Sequence, residues 1–408
     1  MRPAPVLCVT TEVIDDPGEL MQYTLARHPT AFLRNGDGIV GYGDATSFHD
    51  AGGGGRLERI AEWWRGLSAA AIIDDPVGLA GTGLVAFGSF AFSDASGAPS
   101  ILRVPAIVIG RRDGMSWRTR ISVDPWHGFD PEIQSFGPEF HAQLAPGAMT
   151  GERYTDAVAT AVTRIADGAA SKVVLARDLV GTGTKMADLR TVLRRLATAY
   201  PDTFTFAVGG LLGSSPETLV RVENGRVSAR VLAGSAARGA DAAADALARQ
   251  TLSDSAKDRS EHAFARESLL TALAPHAADL TTTEFALELP NLWHLATDVS
   301  GTLTDESSSL DLVAALHPTA AVAGAPTASA LELIAELEPF DRGRYAGPVG
   351  WVDARGDGEW AVALRCAQFT ETDEVTAYAG AGIVADSEPA RELAETELKF
   401  RPIVEALK

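Results

Sequence analysis

The sequence predicts an α+β fold with antiparallel strand pairing, and three observations carry that expectation. Asn224-Gly225 lies between alternating apolar runs in "TLVRVENGRVSARVLAG", a tight-hairpin signal. Gly356-Asp357-Gly358 plays the same part in "PVGWVDARGDGEWAVALRCAQF", and hairpins favour α+β over a doubly wound sheet. "YAGAGIVAD" matches G-x-G-x-x-A after a strand, but a dinucleotide fold also needs a following parallel strand ending in an acid. Only one helix separates the match from Lys408. Its glycines are better read as backbone closely approached by another group.

The elements follow in order. Residues 1–140 are rich in Gly and loops, with strand-like pieces "GLVAFGSFAF" and "ILRVPAIVIG". A turn leads into an amphipathic helix over Glu152–Asp167. A strand opens at Lys172, a helix covers Ala187–Ala199, and strands "TFTFAVGGLLG" and "TLVRVENGRVSARVLAG" come next, the latter turning at Asn224. Helices are expected over Ala240–Thr251 and Ser255–Ala274, then the late strands, then a helix from Glu388.

Composition narrows the function. The 408 residues are 46% hydrophobic and 22% charged, as in soluble globular proteins. A formal charge of −19 argues against nucleic acid and anionic membranes as partners, and obliges any anionic substrate to find a local cationic cluster. Two cysteines, Cys8 and Cys366, are too few for a disulfide framework. With one early arginine, Arg2, and too short an apolar run for a leader, a cytoplasmic location is expected.

Charged residues in unusual settings supply the candidate chemistry. Lys172 opens the apolar run "SKVVLAR"; its ammonium either reaches water along an apolar stem or serves a pocket. Arg365 sits inside the apolar strand "VALRCAQF", where a charge is usually paired or faces a pocket. Glu217 follows Pro216 between two strands, and a Pro/Gly-dense stretch holds His317, Arg342 and Tyr345. In "EPARELAETELKF", Glu392, Glu395 and Lys399 share one helix face; in "SAKDRSEHAFARESLL", Asp258 and Glu261 are three apart. Such faces are ordinarily solvated. Two acidic pairs on neighbouring helices can instead hold one Mg²⁺ through oxygen ligands.

Taken together, "SKVVLAR", "GSSPETLV", "VLAGSAARG", "DRSEHAFAR", "LWHLATDVSGTL", "LHPTAAVAGAP", "ELEPFDRGRYAGPVGW", "VALRCAQF" and "YAGAGIVADSEPARELAETELK" resemble the chorismate-utilising enzymes, the anthranilate synthase component I-like family, in family order over residues 150–408. The resemblance implies one large fold of antiparallel sheets surrounded by helices, with residues 1–140 its variable N-terminal part. It implies Mg²⁺ on Glu261 and Glu395, supported by Asp258 and Glu392. Ser235, His294, Ala321, Tyr345, Arg365, Gly380, Gly382 and Lys399 would bind the substrate, chorismate.

Within this family lysine at position 172 marks enzymes that use water, where ammonia users typically carry Gln. Lys172 would then be general base toward water at C2, if its pKa is lowered, and Glu217 the acid for the C4 hydroxyl. Ala233 stands where aminodeoxychorismate synthases carry a nucleophilic lysine. Ser235 replaces a usual Thr, and Ala320 a usual Pro. The implied activity is isochorismate synthase, an isomerase feeding menaquinone or siderophore synthesis. Salicylate synthase and a non-catalytic chorismate-binding subunit are the alternatives. A monomer without a glutaminase subunit is expected.

Overall fold

The computed structural model describes residues 6–123 and 131–408. Arg2, weighed above against a leader, lies outside the described residues. Two open sheets form the frame. One has 13 strands and runs from Ala145–Pro146 through Lys172–Thr182, Glu374–Ile383, Cys366–Phe369, Leu211–Ser215 and Phe204–Val208 to the N-terminal strands. The other has nine strands, with Ala277–Glu288 and Leu292–Leu303 at one edge and Thr46–Asp50 at the other. Strands before residue 123 enter both sheets.

Neighbouring strands pair antiparallel; among the described residues only Cys8–Ile14 with Ile72–Asp74 is parallel. The strand Glu374–Ile383 is antiparallel to both of its neighbours, which removes the dinucleotide reading of "YAGAGIVAD". α+β is the observed class.

Period-two alternation explains how the larger sheet is buried on both faces. Phe32 belongs to the core shared with Trp351 and Trp360 of the other sheet, whereas Ala31 and Leu33 pack with the second core. The eight α-helices among the described residues cover the outer faces. They are α1 (Arg56–Ala70), α2 (Gly151–Ala166), α3 (Arg190–Ala199), α4 (Ala242–Asp254), α5 (Ala256–Leu273), α6 (Ser309–Leu316), α7 (Thr327–Leu337) and α8 (Pro389–Ala406). Leu193 and Leu196 of α3 meet Phe400 and Ile403 of α8 in the second core.

Several features depart from the sequence reading. "TFTFAVGGLLG" also turns, at Gly209-Gly210, where φ of 60° and 80° suits glycine in a two-residue hairpin. α1 lies in the N-terminal part read as strands and loops. α7 lies inside the Pro/Gly-dense stretch, because Pro326 stands at its N-cap and interrupts nothing.

Candidate active site

Burial separates the functional from the solvated reading of the two acidic helices. On α5, Asp258, Glu261, His262, Ala265 and Leu269 form one inward stripe, and on α8 Glu392, Thr396, Phe400 and Ile403 do the same. Asp258 is 3% exposed, Glu261 8% and Glu392 0%, so these acids do not form a solvated face. α5 packs on the strand Arg226–Ala237 of the nine-stranded sheet and α8 on Glu374–Ile383 of the larger one, and the Lys257–Glu392 ion pair joins the two helices. The Ser255 hydroxyl accepts from the Asp258 N–H and starts α5 at this point.

Each inward glutamate meets a lysine. Lys172, fully buried, stands 3.3 Å from Glu261 Oε1 at ion-pair distance, without hydrogen-bond geometry. Lys399 Nζ is 2.6 Å from Glu395 Oε1 and donates to the Gly380 carbonyl at 3.0 Å. Lys257, which the sequence reading passed over, pairs with Glu392. Gly382 leaves the necessary space: a Cβ there would lie 2.0 Å from Glu261 Oε1 and 3.0 Å from Lys172 Cε. The Lys172 ammonium therefore does not reach water; it is buried beside Glu261.

The cavity beside these pairs is lined by Glu217, Ser235, Glu261, His294, Ala321, Tyr345, Arg365, Gly380, Gly382 and Lys399. Lys172, Glu392 and Glu395 stand behind this wall. Asp258 instead faces a neighbouring cleft with Ser235, Ser255 and Arg391.

On the far wall Arg365 has φ +48°, a left-handed conformation that a non-glycine residue adopts at some cost in strain. Its guanidinium donates to His294 Nε2 at 2.9 Å. A guanidinium only donates, so Nε2 accepts and the imidazole proton is on Nδ1, facing the Gly234 carbonyl at 3.1 Å and Ser235 Oγ at 3.0 Å. Burial, then the Arg365 charge, holds the His294 pKa well below the ordinary value, so the ring is neutral. Arg342, flagged in the Pro/Gly-dense stretch, donates to the carbonyls of Val174 (2.7 Å) and Val322 (2.9 Å) while paired with Glu338 (2.8 Å). It pins the strand of Lys172 to the loop of Ala321.

The carboxyl groups are tuned in opposite directions. Burial pushes Glu217 up to about 8, against the pull of Lys172, Arg365 and Lys399. Burial also pushes Glu395 up, but Lys399 and Lys257 outweigh it and hold the group below its ordinary value. Burial and the Glu395 charge raise Glu392, against Lys257.

Among the described residues, no three acidic, His or Cys side chains already converge as a metal cage. The donor set nevertheless fits a hard cation. Glu392 Oε2 is buried without a partner, and the nearby donors are carboxylate oxygens, as Mg²⁺ prefers.

A family model described as "Chorismate binding enzyme" matches residues 132–408. The chain belongs to this chorismate-binding enzyme family. It is 40% identical over 301 residues to the isochorismate synthase DhbC of Bacillus subtilis (strain 168), covering 69% of this chain and 75% of that protein. It is 40% identical over 265 residues to the isochorismate synthase EntC of Escherichia coli (strain K12), covering 63% and 67%. A crystal structure of the Bacillus anthracis protein described as a 2,3-dihydroxybenzoate-specific isochorismate synthase, DhbC, superposes with TM-score 0.78 at 31% identity, covering 95% and 98%. Anthranilate synthase component I from Streptococcus pneumoniae (TM-score 0.69, 21% identity, 93% of each chain) shares the fold. No helix among the described residues is long and apolar enough to cross a membrane.

Proposed function

We propose that the chain is an isochorismate synthase: it converts chorismate to isochorismate with Mg²⁺, adding water at C2 as the C4 hydroxyl departs. The observation that supports this reading is Glu217 in the cavity wall, with Lys172 buried behind Gly382 and its charge acting on Glu217. Glu217, with a pKa pushed up to about 8, holds a proton at neutral pH and can give it to the departing hydroxyl. Lys172 is the base toward water. Arg365 and Tyr345 hold the enolpyruvyl carboxylate, and Lys399 offers its ammonium to the ring carboxylate. Neutral His294 accepts from Arg365 and so fixes the guanidinium's plane.

Mg²⁺ would be held by Glu261 and Glu395, with Glu392 and Asp258 in support, and would supply charge stabilisation for the ring carboxylate. Such an enzyme needs no glutaminase subunit and would act as a cytoplasmic monomer. The free cavity is about 50 Å³, against roughly 300 Å³ or more for ordinary ligand sites, so substrate entry requires the lining side chains to part. Ala321 offers no hydroxyl to hold the enolpyruvyl group over the ring, which favours release of isochorismate over pyruvate elimination.

Incubation with chorismate and Mg²⁺, with and without EDTA, tests the reading. Isochorismate should accumulate only with Mg²⁺. Stoichiometric salicylate and pyruvate would replace this reading with a lyase, and no turnover would replace it with a binding subunit.

A further inference from the structure

We infer that Lys257 is the internal counter-ion of the metal site, and that Mg²⁺ binds by displacing its ammonium from Glu392. Glu261, Glu392 and Glu395 are each closed on a lysine of their own, and Lys257 feels the charge of all three. The inference rests on reading these carboxylates as the metal ligands.

The three lysines do not have equivalent alternatives. Lys399 lines the cavity and Lys172 stands directly behind Gly382 of its wall, so both can turn to the substrate when the metal arrives. Lys257 is on the same helix as Glu261, next to Asp258, and among the described residues its ion-pair partner is Glu392. Glu392 is fully buried and its second oxygen has no partner, so this carboxylate is half satisfied by the ammonium and has one site left over. A divalent cation that takes this carboxylate competes with the lysine for the same negative charge. The device keeps buried acids neutralised before metal enters, at the expense of metal affinity.

The test is calorimetric titration of Mg²⁺ into chorismate-free protein, comparing the natural chain with Lys257→Met. Mutually exclusive occupants typically couple by roughly 5–150-fold, so Lys257→Met should bind Mg²⁺ about tenfold more tightly or better. Its metal-free melting temperature should fall below that of the natural chain and recover when Mg²⁺ is added. Lys257→Arg keeps the charge with a bidentate partner for Glu392, and should bind Mg²⁺ no more tightly than the natural chain. Equal or weaker affinity in Lys257→Met, or tighter affinity in Lys257→Arg, overturns the displacement. No Mg²⁺ binding by the natural chain or by either variant overturns the metal reading itself. Binding by the natural chain that Lys257→Met does not strengthen overturns only the inference.

Discussion

The two walls of the cavity treat the same functional group in opposite ways. On the wall formed by α5 and α8, Glu261, Glu392 and Glu395 each have a lysine, and Glu395 is held ionised in spite of its burial. On the opposite wall Glu217 is 3% exposed, has no direct cationic partner among the described residues, and has its pKa pushed up to about 8 by burial. The difference is one of distance. For Glu395 the ammonium in contact outweighs desolvation, while lysine charges acting across the cavity on Glu217 do not; Glu392, which also faces the Glu395 charge, stays raised in spite of Lys257. On the proposed reading, one pocket holds carboxylates for a cation and a carboxylic acid for a leaving group.

The largest effect should come from removing the groups that move protons. Lys172→Ala and Glu217→Gln should each lower turnover by about 10²-fold or more, with chorismate still bound, as read by steady-state kinetics and equilibrium binding. Wild-type turnover in either variant would take that residue out of the chemistry. Next in size is the paired wall. Glu261→Ala and Glu395→Ala should lose activity that millimolar Mg²⁺ does not restore, with unchanged circular dichroism; an unaltered Mg²⁺ dependence in both would leave that wall a purely structural ion-pair cluster.

A smaller effect sharpens the contrast through pH. Glu217 acts as an acid only while protonated, so kcat should fall as pH rises through about 8. A limb that instead rises through this range would assign the proton to another group. The smallest effect concerns the product: Ala321→Thr should increase pyruvate release from chorismate, measured by a coupled dehydrogenase, with isochorismate still the main product. Unchanged pyruvate release would remove Ala321 from the control of product choice.

Much of this wall was legible as spacing but not as direction. Glu392, Glu395 and Lys399 were readable as one helix face, and so were Asp258 and Glu261. Periodicity fixes which residues share a face, but not whether that face turns inward, and polar residues on it default to solvent. The resemblance to chorismate-utilising enzymes supplied the direction. Lys257 was missed because it neighbours Asp258 in sequence and belongs to no acidic pair; only the tertiary fold gives it Glu392, 135 residues on. The Arg365–His294 contact joins residues 71 apart, and strand patterns do not reveal such a pairing. α6 did carry a local signal, the capping box Ser308-x-x-Asp311. α1 starts after a run of glycines, which reads as loop until the helix has begun.

The protonation of Glu217 is the claim on which acid catalysis depends, and it has a thermodynamic signature independent of activity. Its folded pKa is raised, so the unfolded chain releases this proton at lower pH than the folded one does. The group's contribution to stability is therefore fully present below about 4.5 and is lost as pH rises to about 8. Glutamine does not titrate. The unfolding free energies of the natural chain and Glu217→Gln, compared by denaturant titration from pH 5 to 9, should diverge in favour of the variant. The gain should be roughly 3–5 kcal/mol across that window, levelling off above pH 8. A difference that stays constant from pH 5 to 9, or that moves in favour of the natural chain, would mean that Glu217 is ionised in the folded protein and is not the acid.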